Sequence, residues 1–165
     1  MENPARVPPT GEQARSGPAP HRLLIPIDAT DASRRGLPYA LELARQKAQV
    51  EVCLLYVVAP VRDWEVLRFR TEQEIHQHFQ SRAESFLEEA SAPLKAAGIP
   101  CRVCFREQEP VFGILDLAEQ LDCTAIVLPR PDWLDFHGSS QVRRLRQAQR
   151  PIPVILVDAD GSVEQ

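Results

Sequence analysis

Gly138-Ser139-Ser140 opens a segment with helical periodicity, Ser139 to Gln149, and this combination suits an anion. Glycine lets backbone amides approach a phosphate or carboxylate oxygen, serine hydroxyls add donors, and the amino end of a helix carries partial positive charge. The residues just before it work in the opposite direction. In Leu128-Pro129-Arg130-Pro131-Asp132 the prolines remove amide donors and fix the backbone, while Asp132 and Asp135 bring negative charge to the place a polyphosphate would need. Arg130 and His137 are the cations of this loop, and each also reads as a solvent-facing side chain. Ser139 has a ligand-free reading too, as a helix cap.

No catalytic set emerges. His137 with Ser139 or Ser140 would supply a base and a nucleophile, but nothing marks a third residue that orients the base. His76 and His78 lie two apart on a helical segment and so do not share a face. Cys101-Arg102-Val103-Cys104 has CxxC spacing, yet the segment reads as a strand, where side chains three apart point to opposite faces. Without a second such pair or clustered histidines, Cys53, Cys101, Cys104 and Cys123 are expected to be structural thiols, with neither zinc nor redox chemistry.

The elements that would position these residues follow from patterning. The chain has 165 residues, 44% hydrophobic and 25% charged, enough for one domain with one core. Residues 1–20 hold five prolines and two glycines with almost no large apolar side chain, and read as a flexible tail. The domain is expected over residues 21–158, with a frayed tail at 159–165. Within it, apolar runs at Leu23–Ile27, Val50–Val58, Cys101–Phe105, Thr124–Leu128 and Pro153–Val157 read as strands. They alternate with helical stripes. Leu37, Ala40, Leu41 and Ala44 form one, and Ala59–Arg70 then reads as a loop. A capping box, Thr71 with Glu74, opens a helix that runs to Gly98 and that Pro93 should kink or shorten. Pro110 opens the next, and Ser139 the last. The fold class is therefore α/β, a single doubly wound, Rossmann-like, mainly parallel five-stranded sheet with helices on both faces. Ligands of such sheets bind beyond the carboxyl ends of the strands, which here brings Asp28, the Val57-Val58 strand end and the Leu128–Gly138 loop along one edge.

Charge narrows the partner classes. A net charge of -4 gives no general attraction to nucleic acid or to an anionic membrane. The arginines of the last helix, Arg143, Arg144, Arg146 and Arg150, read as a solvated face. The longest apolar runs, such as Val52 to Pro60, fall short of the roughly 20 residues of a membrane-spanning helix, and the start has no apolar core of a secretory signal, so a cytoplasmic location is expected.

The segment RLLIPIDATDASRRGLPYALELARQKAQVEVCLLYVV resembles the opening of universal stress proteins, EPVFGILDLAEQLDCTAIVLP resembles their third helix and fourth strand, and GSS with PIPVILV resembles their ending. The likeness runs from about Arg22 to Val157 and implies the same α/β fold. It also implies a site for ATP or another adenine nucleotide. Asp28 matches the family residue near the adenosine, Val57 the one whose backbone meets adenine, and Gly138, Ser139 and Ser140 the last phosphate-binding segment; Arg130 is a further candidate contact. The family's phosphate loop does not carry over intact. Pro129 and Asp132 stand where its first two glycines belong, and five residues separate Asp132 from Gly138 where the family has nine.

The resemblance implies a symmetric homodimer through the last strand, Pro153–Val157. The leading expectation is a stress-response protein that acts through binding and dimerisation, with weak or lost ATP binding, no assured cofactor and an unidentified protein partner left open. The alternative is a switch that responds to ATP or AMP through the loop 128–140. No enzymatic role is expected, slow ATP hydrolysis being the one activity left open. Trp64 and Trp133, in loops flanking the cleft, are expected to pack onto the domain.

Overall fold

A computed structural model of the chain describes residues 17–132, 135–148 and 150–163. Five strands, β1 (His21–Pro26), β2 (Val50–Val58), β3 (Cys101–Glu107), β4 (Ala125–Pro129) and β5 (Val154–Val157), form one sheet in the order β3-β2-β1-β4-β5. Every pairing is parallel. The chain builds outward from β1 to β2 and β3, then crosses back to place β4 on the other side of β1. The strand order reverses between β1 and β4, where the two halves of the sheet part.

The sequence of the central strands dictates this arrangement. Leu23, Leu24, Ile25, Leu54, Leu55, Ile126 and Val127 are each no more than 1% exposed, which requires cover on both faces of the sheet. With the two-residue alternation of a strand, Leu23, Ile25, Leu54 and Val127 pack under helices α1 (Gly36–Arg45) and α3 (Glu72–Ala96). Leu24, Cys53, Leu55 and Ile126 face α4 (Pro110–Gln120) and α5 (Phe136–Gln147) on the other side. Gly36 lets α1 seat closely: a Cβ there would come within 3.0 Å of Ile25 Cγ2 and 3.1 Å of Val127 Cγ1.

The capping box forms as the sequence reads. Glu74 N–H donates to Thr71 Oγ1 at 3.2 Å, and Thr71 N–H donates to Glu74 Oε2 at 2.9 Å. Helix α3 runs on to Ala96 without stopping at Pro93, three residues before its end, so the proline does not shorten it. Its position in the last turn limits the damage, since a single intrahelical acceptor, the Glu89 carbonyl, loses its donor. The expected loop at 59–70 contains a short helix, α2 (Trp64–Leu67).

The carboxyl end of the domain departs from the sequence expectation. Residues 158–163 are not frayed: Asp158 N–H donates to the Ser162 carbonyl at 2.9 Å, and Val163 pairs antiparallel with Val157. Gly161 makes the turn possible with φ +82, packed 3.3 Å from Pro38 Cβ when a Cβ is built on it. Short polar segments are weak sequence signals because such a turn is held by backbone bonds rather than by an apolar pattern. Of the expected tail at 1–20, only residues 17–20 are described.

Thr71→Ala, which removes the α3 cap but no core contact, should cost about 1 kcal/mol in chemical denaturation with an unchanged m-value.

Candidate functional site

The carboxyl ends of the strands bring the sequence candidates into one row. Pro26 pairs with Leu55 and Leu24 with Ile126, so continuing the two registers sets Asp28 level with Val57 on one side and with Arg130 on the other. The row crosses the place where the strand order reverses. Nothing in the individual motifs revealed that these three residues share a level; it follows from the pairing.

Asp28 is exposed and organises the turn that follows β1. Its Oδ1 accepts from Thr30 N–H at 2.7 Å and from Thr30 Oγ1 at 2.5 Å, and its own N–H donates to Ser33 Oγ at 3.1 Å. Ser33, buried, donates in turn to the Thr30 carbonyl at 2.8 Å. This network starts the 3-10 turn Asp31–Arg35 that leads into α1. The carboxylate is thus fixed in place through one oxygen and faces solvent.

Val57 is half-buried on the α4 side, where Gly113 presses against it: a Cβ at Gly113 would lie 2.9 Å from Val57 Cγ2. The same Cβ would lie 3.3 Å from Gln108 Oε1, so Gln108 belongs to this corner as well. Its N–H donates to the Val58 carbonyl at 2.9 Å, while its Oε1 is buried and has no hydrogen-bond partner among the described residues. A buried acceptor without a donor costs roughly 1–3 kcal/mol. Gln108 is therefore the side chain of this corner with unmet hydrogen-bonding capacity, and sequence reasoning missed it because a single glutamine after a strand carries no motif.

Arg130 is engaged within the protein. Its N–H donates to the Val157 carbonyl at 2.9 Å, and its Nε donates to Asp158 Oδ1 at 2.7 Å. Together with Arg35, Asp132, Asp158, Asp160 and Ser162 it lines a shallow cleft above β4 and β5. Three carboxylates against two guanidinium groups make this cleft a poor host for a polyphosphate.

The first turn of α5 is where the structure departs furthest from the sequence reading. The helix starts at Phe136, three residues before the expected Ser139, and its cap is Asp135. Asp135 Oδ1 accepts from Gly138 N–H at 2.7 Å, and Ser139 N–H is already within the helix, donating to the Asp135 carbonyl at 3.1 Å. Ser139 is thus not the cap. The misreading has a plain cause: Asp135 and Ser139 are both good cap residues, and local sequence cannot rank them. Ser139 is exposed and Ser140 half-buried on the next turn.

Gly138 also has an internal explanation, because a Cβ there would come within 2.3 Å of Asp135 Oδ2. The Gly138 amide, one of those that would serve a phosphate, is occupied by the protein's own carboxylate. Trp133 lies outside the described residues, and Trp64 is 66% exposed rather than packed onto the domain. Gly138→Ala should cost no more than about 1 kcal/mol, the displaced Asp135 cap being partly offset by the better helix propensity of alanine. Asp135→Ala should cost about 1 kcal/mol as a lost cap. In a double-mutant cycle by urea denaturation, the Gly138→Ala penalty should largely vanish in the Asp135→Ala background.

Residues 20–157 match the model of the universal stress protein family. Solved structures of similar fold include a protein of that family from Burkholderia pseudomallei, with 20% identity, a TM-score of 0.64 and coverage of 82% of this chain and 94% of that one. Another is a family protein from Arabidopsis thaliana with AMP bound, at 15% identity and a TM-score of 0.61, covering 86% of this chain and 94% of the other. A third is the universal stress protein from Archaeoglobus fulgidus in complex with dAMP, at 21% identity and a TM-score of 0.56, covering 88% and 98%. No curated protein sequence matches the chain significantly. The matched residues span β1 through β5, from the Asp28 turn to the edge strand, and the chain belongs to the universal stress protein family.

Proposed function

We propose that the protein is a non-enzymatic, cytoplasmic member of its family that acts in stress response through binding and self-association, with triphosphate binding weak or lost. The observation that carries this reading is the Asp135 carboxylate on the Gly138 amide at 2.7 Å. A triphosphate would have to displace that cap and approach Asp132 and Asp158 as well.

The adenosine end of the cleft supports a second reading, a responder to a nucleoside or nucleoside monophosphate. Asp28 presents a fixed carboxylate, and Gln108 Oε1 is a buried acceptor without a partner beside Val57. Similar structures are described with AMP and with dAMP bound, so the ligand class fits the family. An adenine amino group is the kind of donor that would satisfy Gln108.

Self-association is assigned to β5. This strand lies at one edge of the sheet, with Val154 and Ile155 half-buried, and an apolar edge favours pairing with a second copy. The turn ending at Val163 covers the Val157 end of that edge. Pairing between copies is then confined to the stretch before it. No described helix is long and apolar enough to cross a membrane, and the net charge of -4 gives no general attraction to nucleic acid; both fit this reading.

Calorimetric titration should find ATP, with or without magnesium, weaker than about 100 micromolar, a binding free energy of roughly 5.5 kcal/mol, and AMP or adenosine tighter than ATP. ATP binding tighter than that threshold and lost on Ser139→Ala would overturn the leading reading in favour of a triphosphate switch. Size-exclusion chromatography with light scattering should find a dimer at micromolar concentration; a monomer would remove β5 pairing from the account.

A further inference from the structure

The register of β2 against β3 brings together two cysteines that are 51 residues apart in sequence. Leu55 pairs with Cys104 and Cys53 with Arg102, so Cys53 and Cys104 are diagonal neighbours on the face that α4 covers. Their sulfurs lie 3.8 Å apart, with the Cys53 thiol directed at Cys104. Cys101 packs into the core on the opposite face, so the CxxC spacing does not create a pair, as the strand reading required. The pair that does form crosses two strands, and no local motif announces it.

The surroundings of Cys104 differ from those of a buried structural thiol. Cys104 is half-buried on β3, an edge strand whose neighbour Val103 is 49% exposed, whereas Cys53 is 5% exposed. Arg102 and Arg106 flank Cys104 two residues away on either side, and strand alternation puts them on its own face. Arg106 is held by its Nη1 donating to the Phe105 carbonyl at 3.0 Å. Cys53, Cys101 and Cys123 line a surface pocket at the amino ends of β1 to β3, whereas Cys104 lines a separate pocket between α3 and β3 with Ser91 and Phe105. A partly exposed thiol between cations, with a second thiol in contact, is the arrangement in which a sulfur is oxidised selectively and then resolved.

We propose that Cys104 is a site of oxidation by hydrogen peroxide and that Cys53 resolves the oxidised sulfur into a cross-strand disulfide. The Cys104 thiolate attacks one peroxide oxygen, the O–O bond breaks, and the departing hydroxide takes a proton to leave as water. Cys104 is then a sulfenic acid and the peroxide is reduced. The Cys53 sulfur attacks Cys104 Sγ, the S–O bond breaks, and the leaving hydroxide takes the Cys53 proton as a second water. The two thiols and one peroxide thus become one disulfide and two waters. Because Cys53 and Cys104 are diagonal rather than directly paired, closing the contact to a bond of about 2.05 Å requires backbone movement, which β3, paired on one side within the sheet, is best placed to make.

Electrostatics favour the same division of roles. The Cys53 thiol donating to the Cys104 sulfur, with the Arg106 and Arg102 guanidinium groups, holds Cys104 below the ordinary thiol range against the opposing effect of burial. The same hydrogen bond, with burial, pushes Cys53 up. Cys101 and Cys123 are both raised by burial, so Cys104 is the sulfur placed to react first.

The test treats the reduced full-length protein with one equivalent of hydrogen peroxide, blocks remaining thiols with N-ethylmaleimide and maps the peptides by mass. The expected product is the Cys53–Cys104 disulfide, and in Cys53→Ala a dimedone adduct should be trapped on Cys104. At neutral pH without peroxide, Cys104 should alkylate at least about tenfold faster than Cys101, since an ordinary thiol is only a few per cent thiolate. Arg102→Gln, an exposed substitution that leaves the core intact, should slow that alkylation. Oxidation that falls first on Cys101 or Cys123, or a rate at Cys104 equal to that at Cys101 and indifferent to Arg102→Gln, would overturn the proposal.

Discussion

The burial of both faces of β1 constrains everything else in this molecule. Leu23, Leu24 and Ile25 are each essentially inaccessible, so the strand must be central, with neighbours on both sides and helices above and below. Parallel neighbours need crossovers, and the crossovers place the strand-to-helix loops, where ligands of such sheets bind, at the carboxyl ends of the strands. Asp28, Val57 and Arg130 therefore fall on one level because β1 is buried, whatever chemistry they perform. The family's fold and the position of its binding edge are consequences of the same constraint.

On that edge the two ends of the cleft differ. At the β1 and β2 end, Asp28 is held in position by Thr30, and Gln108 keeps a buried acceptor without a donor. Beyond β4, Asp135 caps α5 through the Gly138 amide and Arg130 is drawn to Asp158. Helix amino ends bind anions because their amides are unsatisfied, and at Gly138 an internal carboxylate already satisfies one of them. Gly138 looks like a relic of phosphate binding, but its amide serves the Asp135 cap and the Asp135 carboxylate lies in the space a Cβ would take.

The sequence was most informative where a pattern is repeated and cooperative. Apolar runs located the five strands of the described residues, and the Thr71–Glu74 box marked the start of α3 to the residue. It was least informative where one side chain decides among equals. Asp135 and Ser139 compete for the same helix end on equal local terms, and the turn back to Val163 depends on backbone bonds and a positive φ at Gly161. The contact between Cys53 and Cys104 is a matter of strand register, which no spacing of four residues encodes. The doubt about polyphosphate binding was legible in Pro129, Asp132 and the short loop; the occupied Gly138 amide was not.

The central claim is that the helix amide most suited to a phosphate is already occupied by Asp135. It is tested most directly by following the Gly138 backbone amide by nuclear magnetic resonance while magnesium ATP is added to the full-length protein, and separately in Asp135→Ala. The account predicts a Gly138 resonance that is insensitive to ATP in the native protein and that shifts markedly when Asp135 is replaced. A saturable ATP-dependent shift of Gly138 in the native protein, or no response of Gly138 to loss of Asp135, would contradict it.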